Sequence, residues 1–285
     1  MEFTAPAKIN LYLKVLSKRD DGYHEIETLF ERVSLFDRLS VEPSAGGTVI
    51  TCADPSIPVG NESLLGRTVE SFREAVGKDL HFKVKLEKNI PIGAGLGGGS
   101  SDAAALLKGM NELSGAPLGR DVLLDISGSL GADIPFFISD CRFAYGRNRG
   151  DIIRKIDSSL EISHVLITPP FEVSTREVYD RVSAFGLTKE KGVDTMFTSF
   201  LNDDNISGLS ENLCNDLQAI ALESFPVLKK AFSELENEGA LGTLMSGSGP
   251  TVFGVFAREK AEKAGEKLRR KFSKKNWRVF VVKTC

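Results

Sequence analysis

Apolar and polar residues alternate without a break near the N-terminus. Ala7, Ile9, Leu11, Leu13 and Val15 share one parity, and Lys8, Asn10, Tyr12 and Lys14 the other. A period of two predicts a β-strand that carries Lys8 and Asn10 together on its polar face. A turn is expected at 18–22, whereas residues 23–42 fit strand and helix equally well by period. Asn61 can cap a helix running to Ala75, with Leu65, Val69, Phe72 and Val76 facing inward. Phe82, Val84 and Leu86 then alternate with Lys83, Lys85 and Glu87, a second strand pattern. Ala103, Leu106, Leu107 and Met110 recur at helical spacing. Ser100 or Ser101 is placed as the N-cap of that helix, Asp102 in its first turn, and Gly115-Ala116-Pro117 at its end. A further helix is expected over 119–130, and short strands over 136–139 and 142–146.

A second unit is expected from near Ser163, dividing the chain into domains 1–160 and 161–285. Residues 164–168 read as a strand stopped by Pro169-Pro170, and 175–184 as a helix. The polar, glycine-punctuated stretch 185–210 reads as a mobile connection with short turns. Helices over 211–222 and 226–237, strands over 241–245 and 251–256, a helix over 258–273 and a strand over 277–282 complete the chain. Mixed strands and helices predict an α+β protein. No internal repeat or low-complexity segment interrupts it.

Composition narrows the function class. Hydrophobic residues make up 41% of 285 positions, ample for a core, and the formal net charge is only −3. No basic stripe with interleaved aromatics points to nucleic acid. The basic run at 267–275 reads as a solvated helix face, because Ala264, Leu268 and Phe272 supply its apolar stripe. No apolar run of about 18 residues occurs, and no signal-peptide pattern opens the chain, so a soluble, cytoplasmic protein is expected. Cys52, Cys141, Cys214 and Cys285 stand singly, without C-x-x-C spacing, and are expected as reduced thiols. His24, His81 and His164 assemble no obvious metal cluster.

The candidate chemistry begins where strand gives way to helix. Residues 91–102 read Pro91-Ile92-Gly93-Ala94-Gly95-Leu96-Gly97-Gly98-Gly99-Ser100-Ser101-Asp102, with five glycines in the seven positions from Gly93 to Gly99. Glycines let backbone N–H groups approach an anion, and a helix start favours each negative charge by about 0.3–2 kcal/mol. A flexible linker is the plain alternative, but a linker would not open straight into a capped helix. The P-loop signature fails because no lysine follows Gly99. Gly93–Gly98 fits G-x-G-x-x-G, yet after Asp121 the residues Val122, Leu123, Ile126 and Leu130 follow helical rather than strand spacing. Neither His-Arg-Asp nor Asp-Phe-Gly occurs, so a protein kinase is excluded.

The run at 91–102 resembles the nucleotide-binding motif of the GHMP kinases, named for galactokinase, homoserine, mevalonate and phosphomevalonate kinases. Two further segments extend the resemblance over nearly the whole chain. One is Pro6-Ala7-Lys8-Ile9-Asn10-Leu11-Tyr12-Leu13 followed by Arg19-Asp20-Asp21-Gly22-Tyr23-His24. The other is Met245-Ser246-Gly247-Ser248-Gly249-Pro250-Thr251. The pairing of Lys8–Asn10 with Gly22–His24 resembles the branch that acts on a cytidine diphosphate-linked methylerythritol, in the non-mevalonate isoprenoid route. The resemblance implies the two-lobed GHMP kinase fold, with a ribosomal-S5-like N-terminal lobe and a ferredoxin-like C-terminal lobe. It implies ATP as co-substrate, Mg2+ carried by the ATP phosphates, and a small-molecule acceptor; no nucleic-acid or membrane partner is expected from the charge and apolar patterns above, and no obligate protein partner is evident.

The same resemblance assigns roles. Asp133, in Gly131-Ala132-Asp133-Ile134-Pro135, matches the catalytic aspartate that accepts the hydroxyl proton, although a turn aspartate bonded to nearby amides is the commoner fate of such a residue. Lys8 matches the active-site lysine, and Asn10 would orient the acceptor or a phosphate oxygen. Tyr23 and Tyr179 would stack on the two faces of the cytosine, His24 would bond its edge, and Thr175 would contact the acceptor. The loop from Pro91 to Ser101 would cradle the triphosphate, with Lys88 and Asn61 near the base and ribose and Ser101 beside the metal. Ser246-Gly247-Ser248-Gly249-Pro250 matches the third glycine motif, though a tight turn alone would account for it. Gly146-Arg147-Asn148-Arg149-Gly150-Asp151 departs from the family's shorter Gly-x-Gly-Glu segment. A homoserine- or mevalonate-type acceptor, or a non-catalytic ligand-binding module, are the rival readings.

Overall fold

The alternating segment becomes β1 (Glu2–Lys18). Both of its faces are covered: Lys8 and Asn10 are only 4% and 2% exposed, so the polar parity does not meet solvent. A turn follows, in which Gly22 adopts φ 85°, a conformation open to glycine at little cost. It leads into β2 (His24–Pro43), strand throughout the stretch that periodicity left ambiguous. In this computed structural model, which describes residues 1–185, 201–203 and 205–285, the chain forms two compact units, and β1 and β2 run through both.

The first unit comprises Met1–Ala7, Leu35–Ile90 and Gly97–Asp140. Here β2 pairs antiparallel with β4 (Phe82–Glu87), Arg38 opposite Glu87, and β4 pairs in parallel with β3 (Val49–Cys52). Phe82, Val84 and Leu86 are buried and their alternating neighbours exposed, as the period requires. Helices α1 (Leu64–Val76), α2 (Gly98–Leu113), α3 (Arg120–Leu130) and α4 (Ile134–Ser139) pack with α2 touching the other three. Leu106, Leu107 and Met110 of α2 are fully buried. A side chain at Gly109 would meet the Phe3 ring at 2.8 Å, so the missing Cβ lets the start of β1 reach α2.

Three local expectations are corrected in this unit. The N-cap of α1 is Ser63 rather than Asn61; its Oγ accepts from the Gly66 N–H at 3.0 Å. Gly97, in the left-handed region at φ 67°, is the N-cap of α2, so Ser100 and Ser101 lie inside the first turn and Asp102 beyond it. Residues 136–139 are helix, not strand. Every residue from Ile134 to Ser139 is buried, and a continuous apolar run carries no period to tell the two apart. Pro135 in the opening turn of α4 suits a helix start.

The second unit comprises Lys8–Ser34, Pro91–Leu96 and Cys141–Cys285. In it β2 pairs antiparallel with β5 (Phe143–Arg147), Thr28 opposite Gly146, and β5 with β6 (Ile152–Ile156). β1 pairs in parallel with β8 (Cys214–Asn215). A separate antiparallel sheet joins β7 (Ser163–Thr168), β9 (Gly242–Met245), β10 (Val252–Phe256) and β11 (Arg278–Lys283) in the order β11-β7-β10-β9. Numbered along the chain these four strands run 4-1-3-2, the ferredoxin-like arrangement. Between them lie α5 (Thr175–Phe185), α6 (Ile206–Glu211), α7 (Gln218–Ser224), α8 (Lys229–Asn237) and α9 (Arg258–Phe272). Val165, Ile167, Val252 and Phe256 of the sheet pack on Leu235 of α8 and on Ala264, Leu268 and Phe272 of α9. The basic residues of α9 face outward, as its stripe predicts.

Two further expectations change here. The helix expected over 211–222 is interrupted, because Cys214 and Asn215 pair with β1 before α7 begins. Within the connection expected over 185–210, α6 is regular helix, capped by the Asn205 side chain on the Gly208 N–H at 2.8 Å; residues 186–200 and 204 lie outside the described residues. No disulfide joins the four cysteines. Among the described residues no helix is long and apolar enough to cross a membrane.

Candidate active site

Positions i and i+2 of a strand share a face, and β1 uses this to set Lys8 beside Asn10. The Lys8 ammonium donates to Asn10 Oδ1 at 2.7 Å and lies 5.7 Å from the centroid of the Phe30 ring. Asn10 Nδ2 donates in turn to Thr28 Oγ1 at 2.7 Å. The Lys8 backbone N–H donates to Leu96 O at 2.9 Å, which lays the front of the glycine loop along β1.

The third glycine turn closes on the same residues. Ser246 Oγ donates to Gly95 O at 2.9 Å. A Cβ on Gly95, whose φ is +75°, would fall 2.1 Å from Ser246 O, and one on Gly247 would lie 3.3 Å from both Asn10 Oδ1 and Lys8 Nζ. The two backbones therefore approach each other as only glycine permits. Asn215, which the sequence did not single out, holds the turn: its Nδ2 donates to Met245 O at 2.7 Å and Gly247 O at 2.8 Å. The Thr175 and Ser248 hydroxyls share a hydrogen bond of 2.8 Å.

Tyr23 and His24 have opposite surroundings although adjacent in sequence. Tyr23 is 54% exposed, with the Arg149 guanidinium 4.9 Å above its ring and Arg149 itself held by Asp151. His24 is buried, its ring centroid 5.3 Å from that of Tyr179, and its Nε2 has no hydrogen-bond partner. Burial first, and the Lys18 charge second, hold its imidazole below the ordinary histidine pKa against an opposing pull from Asp180, so the ring is neutral near pH 7. The departing segment 146–151 thus touches the exposed aromatic through Arg149.

In the first unit the fully buried Asp37 organises the approach to the glycine loop. Its Oδ1 accepts from the Asn89 N–H at 2.5 Å and the Ile90 N–H at 2.8 Å, and its Oδ2 accepts from the Lys88 ammonium. Lys88 also donates to Asp102 Oδ2 at 3.0 Å. Burial pushes the Asp102 carboxyl up to about 7, with the Lys88 charge pulling the other way. A Cβ on Gly98 would lie 2.7 Å from Lys88 Nζ, so the start of α2 fits closely over this buried cluster.

Ser101 Oγ is buried without a hydrogen-bond partner in the first turn of α2, a helix whose amides carry no side-chain cap. Uncapped amides of this kind favour an anion, and an unpaired hydroxyl beside them fits a phosphate oxygen or a cation carried by one. Asp133 occupies the N-cap position of α4, and its side chain does not cap that helix. Asn61 lies exposed in the loop before α1. Among the described residues, no three His, Cys, Asp or Glu side chains gather to hold a metal.

The second unit thus gathers Lys8, Asn10, Gly95, Thr175 and the 246–249 turn, and separately His24 and Tyr179. The first gathers Lys88 with Gly98. Asp37 left one signal in the sequence: it shares the parity of the buried Leu39 and Val41, a carboxylate on the core side of a strand. Thr28 and Asn215 left none, since their partners are set by strand register.

The two halves of the chain match two family models. Residues 63–140 match the GHMP kinases N terminal domain and residues 200–274 the GHMP kinases C terminal. A 4-diphosphocytidyl-2-C-methyl-D-erythritol kinase of Syntrophus aciditrophicus is 38% identical over 285 residues, covering 100% of this chain and 99% of the relative. A crystal structure of 4-(cytidine 5'-diphospho)-2C-methyl-D-erythritol kinase aligns with TM-score 0.82 at 35% identity, over 99% of this chain and 98% of that one. A homoserine kinase from Cytophaga hutchinsonii aligns with TM-score 0.72 at 21% identity, over 100% of this chain and 94% of that one, a likeness of fold.

Proposed function

Because the chain belongs to the 4-diphosphocytidyl-2-C-methyl-D-erythritol kinases, a branch of the α+β GHMP kinase family, we propose that it transfers the γ-phosphoryl group of ATP to the 2-hydroxyl of 4-diphosphocytidyl-2-C-methyl-D-erythritol. The products are the 2-phosphate and ADP, and the reaction serves the non-mevalonate route to isoprenoid precursors. Residues 1–160 form the ATP-binding domain in this reading, and 161–285 the second domain. A cytoplasmic location supplies the ATP.

Phosphoryl transfer asks the protein to hold donor and acceptor in line and to neutralise charge on the moving group. Asp133 takes the hydroxyl proton as the new P–O bond forms and the bond to the β-phosphate breaks. Lys8 offsets negative charge on the transferring group, and Asn10 orients the acceptor. Backbone amides from Pro91 to Ser101 hold the triphosphate, with Lys88 and Asn61 on the nucleoside side. Mg2+ on the ATP phosphates supplies further positive charge, and Ser101 is the residue that would hold it.

The observation that favours a cytidine acceptor over homoserine or mevalonate is the unpartnered Nε2 of the buried His24 next to Tyr179. A neutral imidazole nitrogen of this kind suits the edge of a base, and Tyr23, Tyr179 and Thr175 complete the acceptor contacts. The test is ADP release by the purified chain with the cytidine-linked acceptor, mevalonate or homoserine. Turnover is expected with the first alone, and comparable turnover with either of the others refutes the reading. Asp133→Asn should lower kcat by at least about 10²-fold with ATP affinity unchanged; full activity in that variant removes the assignment of the base.

A further inference from the structure

We infer that Thr28 is a positioning residue, which sets the Asn10 amide and through it the Lys8 ammonium. The inference rests on the reading of Lys8 and Asn10 just given, and concerns a side chain to which that reading assigns no part.

Each link in the chain of hydrogen bonds is forced by donor and acceptor type. A lysine ammonium only donates, so the atom of Asn10 that faces it at 2.7 Å must be the oxygen. The Asn10 NH2 group must then face Thr28, whose Oγ1 lies 2.7 Å from Nδ2 and has to accept. A hydroxyl that accepts there has one proton left, and it goes to the Tyr12 carbonyl at 2.7 Å, which can only accept. The relay thus runs one way, from ammonium to amide to hydroxyl to backbone. Thr28 is 0% exposed and Asn10 2%, so no solvent replaces a lost link.

The alternative orientation of the amide is poor at both ends. Flipped, Asn10 would set its NH2 against the ammonium, and its oxygen against Thr28. The hydroxyl proton would then have to abandon the Tyr12 carbonyl. With the hydroxyl in place the amide has one satisfied orientation, and the ammonium is held beside the Gly247 backbone. Without it, the amide NH2 is buried against a hydrocarbon group and turns to find another partner, drawing Lys8 with it. Thr28 touches the substrate in neither case; β2 brings it opposite Gly146 of β5, inside the sheet.

The test compares Thr28→Val, which keeps the shape and removes the hydroxyl, with Thr28→Ser, which keeps the hydroxyl and removes a methyl. Loss of a buried partner of this strength predicts a fall in kcat of about 10–100-fold for Thr28→Val. KM for ATP should stay within about twofold, the amide acting on the transferred group rather than on nucleotide binding. Thr28→Ser should recover most of kcat. Introduced on top of Asn10→Ala, Thr28→Val should cost little more, because its route of action is gone. Should Thr28→Val fold poorly, Thr28→Ala serves in its place and is judged against Thr28→Ser in the same way. Wild-type kcat in the valine or alanine variant, a serine variant as slow as either, or full additivity with Asn10→Ala overturns the inference. Absence of wild-type turnover with the cytidine-linked acceptor would instead overturn the function on which it rests.

Discussion

The ammonium groups of Lys8 and Lys88 are both largely covered, and their surroundings separate them. Lys88 is met by two carboxylates, Asp37 and Asp102, a charged cluster that ties the approach of the glycine loop to α2. Lys8 donates to an amide oxygen and lies beside an aromatic face. Tyr23 and His24 divide labour similarly, one ring exposed under a guanidinium and the other buried with a spare nitrogen. Stacking on a base is worth about 1–3 kcal/mol, so Tyr23→Ala should raise KM for the acceptor about 5–150-fold and leave KM for ATP unchanged. Steady-state kinetics with each substrate varied in turn checks this; equal loss on both would remove Tyr23 from base recognition.

At the scale of the element, α2 joins two pieces of chemistry. Its first turn presents uncapped amides and the unpaired Ser101 hydroxyl, and its second turn sets Asp102 on Lys88. Burial raises the Asp102 carboxyl to about 7 in the folded protein, against about 3.9 in an unfolded chain. Between those values the native state holds a proton that the unfolded state has released. The stability this contributes is therefore complete below about pH 4 and lost as pH rises toward 7. Asp102→Asn, which cannot ionise, should lack that slope. Denaturant unfolding from pH 4 to pH 8 measures it: the wild-type free energy should fall relative to the variant as pH rises to 7, then run parallel. Curves parallel over the whole range would show that Asp102 is already ionised in the fold.

Across the whole molecule, residues far apart in sequence meet in a buried polar knot of the second unit. His164 of β7 sets its Nε2 3.0 Å from both oxygens of Glu31 on β2, and Thr284, just beyond β11, donates to Glu31 at 2.6 Å. The Ile162 N–H completes it by donating to Thr284 Oγ1 at 2.8 Å. Removing one hydroxyl leaves a buried carboxylate oxygen short of a donor and a buried N–H without an acceptor. Thr284→Val should therefore cost about 1–3 kcal/mol of unfolding free energy, with kcat unchanged because the knot touches none of the proposed catalytic groups. Denaturant titration checks the first and the kinase assay the second; unaltered stability would mean that the knot relaxes around the loss.

What could be read without coordinates was whatever depends on neighbours along the chain. A period of two placed Lys8 and Asn10 on one face of β1, and a glycine run before a helical period marked the loop proposed to hold phosphate. Tyr23 and His24 stood out only through resemblance, as did Asp133. Local signals failed where they were degenerate: the apolar run at 136–139 has no period, and the start of α2 offered two serines yet is capped by Gly97, whose left-handed φ a glycine adopts at little cost. Tertiary structure alone decided which distant groups share a partner. Thr28 reaches Asn10, Asp37 reaches Asn89 and Ile90, and Asn215 reaches Gly247 only after strands take their register. Hydrogen-bond partners far apart in sequence are set by where the backbone is carried in space, and no pattern of spacing along a chain records that.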